Sequence, residues 1–434
     1  MKLISVSLWG DLVGDLFYDE KQGLVAFKYF ESFKESGREL SPLLMPLKED
    51  KEFYTFERLS EQTFKGLPPV FSDSLPDKFG NAILNAWLQK NGKFIEDLNP
   101  LERLSYIGKR GMGALEYVPP QSTKDISREV LDISDIVEIA KEVLDDKKEA
   151  EGNLNSMENI LHIGTSAGGA RAKAIIAIDP KTKNVYSGDI LRNEKDVTYH
   201  ILKLDGVGDI ENRETNGYGR IEYAYFLMAK ACGIEMAYSE LIEEKGRAHF
   251  ITQRFDRVNG EKIHMTTLNS MASMDYNQPL MHSYEQCFGV MTKIGLDHED
   301  YKKQFRRMVF NVIAKNLDDH TKNVSFLMDK LGKWKLSPAY DVTYAYNPNN
   351  RWLRQHQMSV NGKRNKIGRL DLMAVTEVLD PRSKRVIIDQ VVEGISEWKG
   401  IGKEAGVPAQ RVNEIENNLK YHQIQKEKNN KKPL

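Results

Sequence analysis

The chain has 434 residues, of which 40% are apolar, and its 62 Lys and Arg side chains balance 63 Asp and Glu. This predicts a globular protein of two or three domains, and the near-neutral charge removes any general electrostatic reason for direct nucleic-acid binding, although a local basic patch stays possible. Only two cysteines are present, and the N-terminal apolar run breaks early at Gly10, which argues against export. No apolar stretch reaches the roughly 20 residues of a membrane helix. The sequence therefore predicts a cytoplasmic protein.

The first third of the chain changes from a strand pattern to a helix pattern. Residues 2–29 alternate apolar and polar side chains between Gly and Asp turns, which predicts short antiparallel strands. Helical spacing follows at residues 81–92. A Pro pair near residue 120 indicates a domain boundary, and the charged, helix-like stretch 122–152 leads into a connection that we expect to be mobile around 146–156.

From about residue 160 the order of predicted elements is typical of a kinase-type nucleotide lobe. It runs strand, Gly-rich turn, strand, lysine-bearing strand, helix and two further strands. From about 258 the chain is mainly helical, with one hairpin inserted at residues 323–342. The fold class is therefore α+β, with predicted domains at 1–120, 121–257 and 258–434, and a frayed, solvated tail from residue 424.

The stretch NLDDHTKN, residues 316–323, carries the strongest chemical signal. Asp318 and Asn323 have the D-x-x-x-x-N spacing of a phosphoryl-transfer loop, in which the acid takes the hydroxyl proton and the amide oxygen binds Mg²⁺. The hairpin that follows brings the chain back, so Asp341 should lie near Asn323 as a second metal ligand. The alternative is that these are three unrelated turn residues.

The stretch GTSAGGARAK, residues 164–173, is a Gly-rich turn between two predicted strands. It is not a Walker A loop, because Gly169 is followed by Ala170 rather than Lys. Backbone N–H groups of Gly168 and Gly169 could face phosphates, although an ordinary hairpin turn would look the same. Ser166 within the turn could accept a phosphate that would then repel ATP, or it is simply a small turn residue.

Four further positions are candidates for nucleotide contacts or for supporting them. Lys203, in the predicted strand HILKLDG, could neutralise phosphate charge, although it could equally be a surface lysine. Glu222 should begin the next helix and could pair with Lys203, but the helix dipole also favours a first-turn Glu. Residues 253–255 end the last strand, where an adenine-binding hinge would lie. His320 should support the site, and ligand spacing for zinc is lacking.

Taken together, these motifs make the chain resemble the HipA family of bacterial serine/threonine kinase toxins, over almost its whole length. The matching stretches are SLWGDLVGDLFYD, FSDSLPDKFG, LSYIGKRGMGALEYVP, TSAGGARAKA, HILKL, QRFDR, DDHTKN and LSPAYDV.

The resemblance implies a small β-rich N-terminal subdomain, a kinase-like lobe and a helical C-terminal lobe. It also implies ATP- and Mg²⁺-dependent phosphorylation of a protein serine. By motif position, Asp318 resembles the catalytic acid, Asn323 and Asp341 the metal ligands, Lys203 the ATP lysine, Gln253 and Phe255 the hinge, and Ser166 the self-phosphorylated serine. The sequence departs from the family pattern in having Gln253 where Glu is expected and GGARAK in place of GAQEK, and both departures lie in the predicted nucleotide-binding part of the chain.

The resemblance further implies a small HipB-like helix-turn-helix antitoxin, with operator DNA bound mainly through it. Its best-known members phosphorylate glutamyl-tRNA synthetase and favour persistence, and others act on different tRNA synthetases. Two alternatives stay open from the residues alone: a small-molecule kinase, and a non-catalytic co-regulator that binds an antitoxin.

Overall fold

The computed structural model of the protein describes residues 1–49, 51–120, 130–144, 171–188, 196–207 and 217–429. Ser166, Gly168, Gly169 and the connection around 146–156 lie outside the described residues. The chain divides into two compact units. The first unit comprises Met1–Gly219, Tyr238–Thr266 and Met328–Lys333, and the second comprises Arg220–Ala237, Thr267–Leu327 and Trp334–Leu434.

The described strands and helices are numbered here in chain order. The strands are β1 Leu3–Leu8, β2 Asp11–Asp19, β3 Leu24–Tyr29, β4 Leu115–Val118, β5 Lys173–Ile178, β6 Val185–Ser187, β7 Thr198–Lys203, β8 Ser239–Glu244, β9 Arg247–Gln253, β10 Arg257–Val258, β11 Glu261–Lys262, β12 His264–Thr267, β13 His282–Ser283, β14 Ser325–Met328, β15 Trp334–Leu336 and β16 Met358–Ser359. The helices are α1 Glu31–Lys34, α2 Glu61–Phe64, α3 Pro69–Ser72, α4 Lys78–Lys90, α5 Pro100–Ile107, α6 Ile133–Leu144, α7 Tyr218–Ala231, α8 Leu268–Met271, α9 Tyr284–Lys293, α10 His298–Ile313, α11 Arg369–Ala374, α12 Pro381–Ser396, α13 Trp398–Glu404, α14 Ala409–Asn418 and α15 Tyr421–Asn429. Within these described segments, no helix has both the length and the apolar character needed to cross a bilayer.

The N-terminal strands form a four-stranded sheet in the order β3-β2-β1-β4, and each pair in it is antiparallel. Alternate residues of β3 are buried, which is the period-2 pattern that the sequence predicted. The β1–β2 turn uses Trp9 and Gly10, both with positive φ, as a two-residue hairpin turn requires. The prediction of short antiparallel strands at the N-terminus is confirmed.

A second antiparallel sheet in the first unit has the order β6-β5-β7-β9-β8. The strands predicted around the lysine strand and before residue 255 are confirmed as β5, β7, β8 and β9, and β6 was not predicted. One face of this sheet packs with α4 and α6 in an apolar core that includes Ile83, Leu88, Val137, Ile176 and Leu202. The helix predicted at residues 81–92 is confirmed as α4.

A buried ion pair joins α4 to this sheet within the first unit. Asp77 caps α4 by accepting a hydrogen bond from Gly80 N at 2.7 Å, and its other oxygen lies 2.9 Å from Lys173 Nζ on β5. The two side chains are only 7% and 3% exposed. Removing one partner would take away the opposite charge that lies 2.9 Å from the other buried charge.

The end of β9 is fixed by Asp256, which is fully buried. Its carboxylate accepts hydrogen bonds from Arg254, Arg257 and Gly113 N at 2.7–2.9 Å. Burial opposes ionisation of Asp256, but the two guanidinium groups outweigh it and hold the pKa of the carboxyl well below its usual range. Arg257 also donates to the carbonyls of Gly111 and Gly113, so the QRFDR motif ties the end of β9 to the segment before β4.

The second unit is mainly helical, as the sequence predicted. Its longest helices, α10 and α12, each begin at an Asp that caps the first turn, Asp297 and Asp380. Tyr225 of α7 lies in the core, with its ring 5.5 Å from Trp398 and 6.1 Å from Phe310, and its hydroxyl donates to the carbonyl of Ala314 at 2.6 Å. The predicted hairpin is confirmed: β14 and β15 are neighbours, and Asp329 starts the tight turn between them.

Two sequence predictions are wrong. Glu222 does not begin the helix after the lysine strand, because α7 starts at Tyr218, and Glu222 is its fifth residue and is buried. The cause is Asp205, whose carboxylate accepts hydrogen bonds from Gly217 N and Tyr218 N and so starts the helix earlier. The tail is also not frayed from residue 424, because α15 continues to Asn429 and buries Ile424, and Lys428 pairs with Asp389.

We expect Lys173→Met to lower the free energy of unfolding by about 3–5 kcal/mol, because it strands the Asp77 carboxylate in the interior. Adding Asp77→Asn should restore much of that loss, since Asn removes the charge and still caps a helix. Urea unfolding followed by circular dichroism measures both effects. Lys2→Met removes an exposed pair with Glu20 and serves as the control, which should be near neutral. Equal losses in the single and double variants would contradict the ion-pair account.

His200 on β7 predicts a pH dependence of stability. Burial lowers the pKa of His200 to about 4 from an ordinary value of 6.5. Between these values the unfolded chain binds a proton and the folded chain does not, so acidification destabilises the fold by about 1.4 kcal/mol per pH unit. We expect His200→Gln to flatten the dependence of the unfolding free energy on pH from 6.5 to 4.5.

Thr198→Val is the matched control for His200→Gln. The Thr198 hydroxyl lies 2.8 Å from His200 Nε2, so the variant removes the hydrogen bond but no titrating group. It should shift the unfolding free energy at every pH and keep the slope. An unchanged slope in His200→Gln would overturn the assignment.

Candidate functional site

The segment from Leu317 to Thr321 is extended and alternates between the interior and the surface of the second unit. Leu317, Asp319 and Thr321 are buried, whereas Asp318 and His320 are only partly buried. Backbone bonding from Leu317 N to Ala345 O and a hydrogen bond from Thr321 Oγ1 to Met274 O fix the two ends of the segment. Successive side chains of an extended segment point to opposite sides, so Asp318 and His320 share the more open face.

Asp318 and Asn323 are held together by their loop. The Asn323 side-chain nitrogen donates to the carbonyl of Asp318 at 2.8 Å, and Asn323 N donates to the carbonyl of His320 at 2.9 Å. This hydrogen bond uses the amide nitrogen of Asn323, so the amide oxygen is the atom that would act as a metal ligand. The Asp318 side chain is 47% exposed, which suits a group that must meet a substrate.

Tyr340, the residue before Asp341, bonds the loop that contains Asp318 and Asn323. The Tyr340 hydroxyl donates to the carbonyl of Lys322 at 2.6 Å and also bonds the Ser325 hydroxyl. Ser337 N donates to Ser325 O at 2.9 Å, which continues the hairpin pairing. Asp341 itself has φ of 51°, a left-handed conformation that Asp tolerates better than most residues. The Tyr340 bond thus joins the residue before Asp341 to the residue before Asn323, and the shared metal site of Asn323 and Asp341 stays a prediction.

Asp319 is a key residue that the sequence reasoning missed. Its buried carboxylate accepts hydrogen bonds from the Tyr284 hydroxyl at 2.9 Å and from Gln357 N at 2.7 Å, and it lies 2.8 Å from His356 Nδ1. These bonds join the loop to α9 and to the segment before β16. Period-2 alternation starting from apolar Leu317 is the signal that would have shown that Asp319, and not Asp318, points inward.

A chain of polar side chains extends this network toward the end of α10. Asn311 donates to the Tyr284 hydroxyl at 3.0 Å and accepts from the Asn316 side chain at 3.0 Å. Burial, and then the Asp319 charge, raise the pKa of Tyr284 well above its ordinary value. Tyr284 therefore stays protonated and can act as the donor that Asp319 needs.

His320 lies beside Asp318 with its Nε2 atom 3.7 Å from the carboxylate. Its ring also lies 5.5 Å from the ring of Tyr276, over which Lys322 places its ammonium at 4.7 Å. Within the described part of the chain, His320 Nδ1 is buried without a hydrogen-bond partner. A contact of His320 with nucleotide stays a prediction.

The donor set of this loop fits Mg²⁺. Asn323 offers an amide oxygen and Asp341 a carboxylate, and hard oxygen donors are what Mg²⁺ takes, usually one or two from protein and the rest from phosphate and water. Among the described residues, no group of three or more His, Cys, Asp or Glu side chains could form an all-protein metal cage. Binding of Mg²⁺ by Asn323 and Asp341 stays a prediction.

The predicted nucleotide residues that the structure describes in the first unit lie on two neighbouring strands. Lys203 ends β7, with its ammonium 5.9 Å from the ring of Phe250, and Gln253 ends β9 opposite His200. Gln253 N donates to the carbonyl of Tyr238 at 2.8 Å, and Phe255 follows between the two arginines that clamp Asp256. Both strand ends are thereby fixed, and their roles toward nucleotide stay predictions.

The structure therefore groups the predicted residues by unit. The second unit brings Asp318, His320 and Asn323 together with the Asp341 segment, and it also contains Glu222, whose pairing with Lys203 stays a prediction. The first unit holds Lys203, Gln253 and Phe255. Sequence reasoning missed the role of Asp205, which lies in HILKLDG, because this residue is thirteen positions before the first residue of α7 and helix-start signals are read from adjacent residues.

Two family models match the chain. The HipA N-terminal domain matches residues 4–118, and the HipA-like C-terminal domain matches residues 165–399. A curated relative from Sinorhizobium fredii, described as "Putative kinase Y4mE", is 24% identical over 369 residues, which cover 80% of this chain and 78% of the relative.

A solved structure has a similar fold. It is HipA of Shewanella oneidensis in a complex with HipB and operator DNA, with a TM-score of 0.66, 16% identity and coverage of 95% of both chains. The predicted α+β, kinase-like fold class is confirmed. Because the HipA-like C-terminal model alone spans more than half of the sequence, the chain belongs to the HipA family.

Proposed function

We propose that this protein is an ATP- and Mg²⁺-dependent serine/threonine protein kinase, the toxin of a HipBA-like toxin–antitoxin module. The observation that supports this best is the loop in which the Asp318 side chain is 47% exposed, the Asn323 side chain donates to the carbonyl of Asp318, and Tyr340, next to Asp341, donates to the carbonyl of Lys322. A base and two oxygen ligands are what phosphoryl transfer requires of a protein. Membership of the HipA family agrees with that chemistry.

In the proposed reaction Asp318 orients the acceptor hydroxyl and takes its proton. Its exposed carboxylate can reach a substrate, and the hydrogen bond from Asn323 to its carbonyl keeps the backbone in place. Mg²⁺, held by Asn323 and Asp341, would neutralise the charge of the ATP phosphates. Lys203 would contribute a further positive charge, and Gln253 and Phe255 would contact the base.

The partners follow from the family in the same way. The Shewanella oneidensis HipA structure contains HipB and operator DNA, and we propose a HipB-like antitoxin here, with operator DNA bound mainly through it. The proposed acceptor is a serine of an aminoacyl-tRNA synthetase, such as glutamyl-tRNA synthetase, in the cytoplasm. Self-phosphorylation at Ser166 would end the activity.

One experiment tests the enzyme class and the acceptor together. The purified protein is incubated with ATP, Mg²⁺ and a cell lysate, and phosphosites are mapped by mass spectrometry. Phosphate on a tRNA synthetase, absent with Asp318→Asn, would support the proposal. Faster ATP turnover with a metabolite than with any protein would favour a small-molecule kinase. Growth arrest that persists in Asp341→Ala would favour a non-catalytic co-regulator.

The adjacent residues Asp318 and Asp319 should separate chemistry from stability. Asp318→Asn removes the base and should lower the rate of phosphate transfer by about 10²-fold or more, while the melting temperature stays near that of the wild type. Asp319→Asn should lower the melting temperature by several degrees, because hydrogen bonds to a buried charged group contribute about 1.5–3 kcal/mol each. Radiolabelled transfer and thermal unfolding measure the two effects.

Lys333→Ala, an exposed change on the β14–β15 turn, is the control and should be neutral in both assays. A large loss of stability in Asp318→Asn would contradict the division of roles. So would full transfer activity in that variant.

Ser166 gives a second test. Ser166→Glu should abolish ATP-dependent transfer without unfolding the chain, because added negative charge in a phosphate-binding turn repels ATP. Ser166→Ala is the matched control and should transfer phosphate to other proteins while losing its own phosphosite. A melting temperature of Ser166→Glu lowered by many degrees would attribute the loss to folding instead.

A further inference from the structure

One segment of the second unit is far more basic than the chain around it. Residues 349–369 contain six Lys and Arg and no Asp or Glu, in a protein of formal net charge −1. The segment runs through β16 and into α11. Such local charge needs either internal partners or an external anion.

Half of these cations are used within the protein. Lys363 pairs with Asp371 at 2.9 Å and Arg369 with Asp389 at 2.7 Å. Arg364 donates to the carbonyls of Leu280 at 2.5 Å and His282 at 2.9 Å. In contrast, Arg351, Arg354 and Lys366 are exposed and have no carboxylate within 4.0 Å among the described residues.

Backbone pairing places Arg354 and Lys366 side by side. His356 N donates to Arg364 O at 3.2 Å, and the Asn365 side chain donates to the side chain of Gln355 at 3.0 Å. Arg354 directly precedes Gln355 and Lys366 directly follows Asn365, so the two exposed charges belong to neighbouring stretches of chain. We call Arg351, Arg354 and Lys366 the basic edge.

The basic edge is anchored directly to the catalytic loop. Asp319, next to Asp318, accepts the hydrogen bond from Gln357 N, three residues after Arg354. Three residues span at most about 11 Å, so Arg354 lies within reach of a peptide whose hydroxyl meets Asp318.

Apolar side chains flank the basic edge. β13 pairs in parallel with β16, and Arg364 donates to the carbonyls of Leu280 and His282, so the stretch that carries the exposed side chains of Leu280 and Met281 lies next to the basic segment. Met281 is 62% exposed and Leu280 is 41% exposed. A small cleft adjoins them, lined by Tyr276, Gln278, His282, His320, Thr321, Gln357 and Met358.

We propose that this face binds the acceptor segment of the protein substrate, and that this segment carries acidic residues beside an apolar side chain near the phosphorylated hydroxyl. The inference rests on the proposed kinase function. Acidic side chains would pair with the basic edge, and the apolar side chain would cover Leu280 and Met281. A nucleic acid fits less well, because strong backbone binding needs many cations and gains nothing from the apolar pair.

The test first measures binding without nucleotide, so that it does not depend on catalysis. A fluorescein-labelled peptide with several Glu, one Ser and one Leu is compared with a counterpart in which Gln replaces Glu. We expect the acidic peptide to bind more tightly, and Arg354→Glu with Lys366→Glu to weaken it about tenfold or more, because like charges repel across an interface. Arg385→Glu with Lys403→Glu, which changes exposed residues of α12 and α13, is the matched control.

Charge rather than side-chain identity should determine the effect, so Arg354→Lys with Lys366→Arg should retain binding. Met281→Ser should weaken the Leu-containing peptide and spare a peptide with Ser in place of Leu. Equal binding of the acidic and Gln peptides, or unchanged binding in the charge-reversal variant, would overturn the proposal. Tighter binding of a 12-nucleotide single-stranded RNA, lost in the same variant, would overturn it in favour of a nucleic acid.

A Ser-centred peptide library incubated with ATP and Mg²⁺ then links the face to the reaction. Selection for Asp and Glu that is lost on charge reversal would support the proposal. If the wild type phosphorylates peptides with no acidic preference, the kinase function stands and this inference fails. If the wild type phosphorylates nothing, the proposed kinase function fails, and the binding comparison decides the inference alone.

Discussion

Asp319 carries a carboxylate into the interior of the second unit, where its side chain is fully shielded from water. A buried charge is tolerated only when hydrogen bonds and charges replace its hydration, and here Tyr284, His356 and Gln357 N supply them. Those three donors come from α9 and from the segment before β16, so one carboxylate fixes the geometry of three stretches of chain. This arrangement also fixes the position of the neighbouring Asp318, because successive side chains of an extended backbone point to opposite sides and Asp319 points to the interior.

In the first unit, three further buried carboxylates also hold segments of the chain in place. Asp256 holds the end of β9 against residues 111–113 through two arginines, and Asp77 holds α4 against β5 through Lys173. Asp205 does this with backbone N–H groups at the start of α7. In each case the carboxylate acts on a segment distant in sequence, and the residues predicted to contact nucleotide stand next to the fixed ends of β7 and β9.

Sequence reasoning succeeded where the determining interactions are local. Alternation in residues 2–29 and the turn around Asp329 specify hairpins, and the second hairpin returns the chain so that Tyr340 bonds Lys322. Sequence reasoning failed where the start or end of an element depends on a residue that is distant in sequence. Residue spacing could not reveal that Asp205 starts α7 at Tyr218, that Asp389 and the buried Ile424 hold α15, or that Lys173 meets Asp77. The basic segment 349–369 was visible in the sequence, but its position beside Asp318 depends on Asp319, whose role was not foreseen.

Buried residues hold the loop of Asp318, whereas different, exposed residues form the proposed acceptor surface, and this difference bears on the proposed choice of substrate. Backbone groups, the Arg364 guanidinium and the Asp319 carboxylate hold residues 354–366 in place. These atoms are different from the exposed side-chain atoms of Arg354 and Lys366. Changing the exposed side chains would therefore leave the hydrogen bonds of Asp319 intact, and with them the position of Asp318. In the proposed kinase, a catalytic loop supported in this way would keep one chemistry while the surface beside it adapts to acceptors of different charge, because the proposed base and the proposed acceptor surface share a backbone but not side chains.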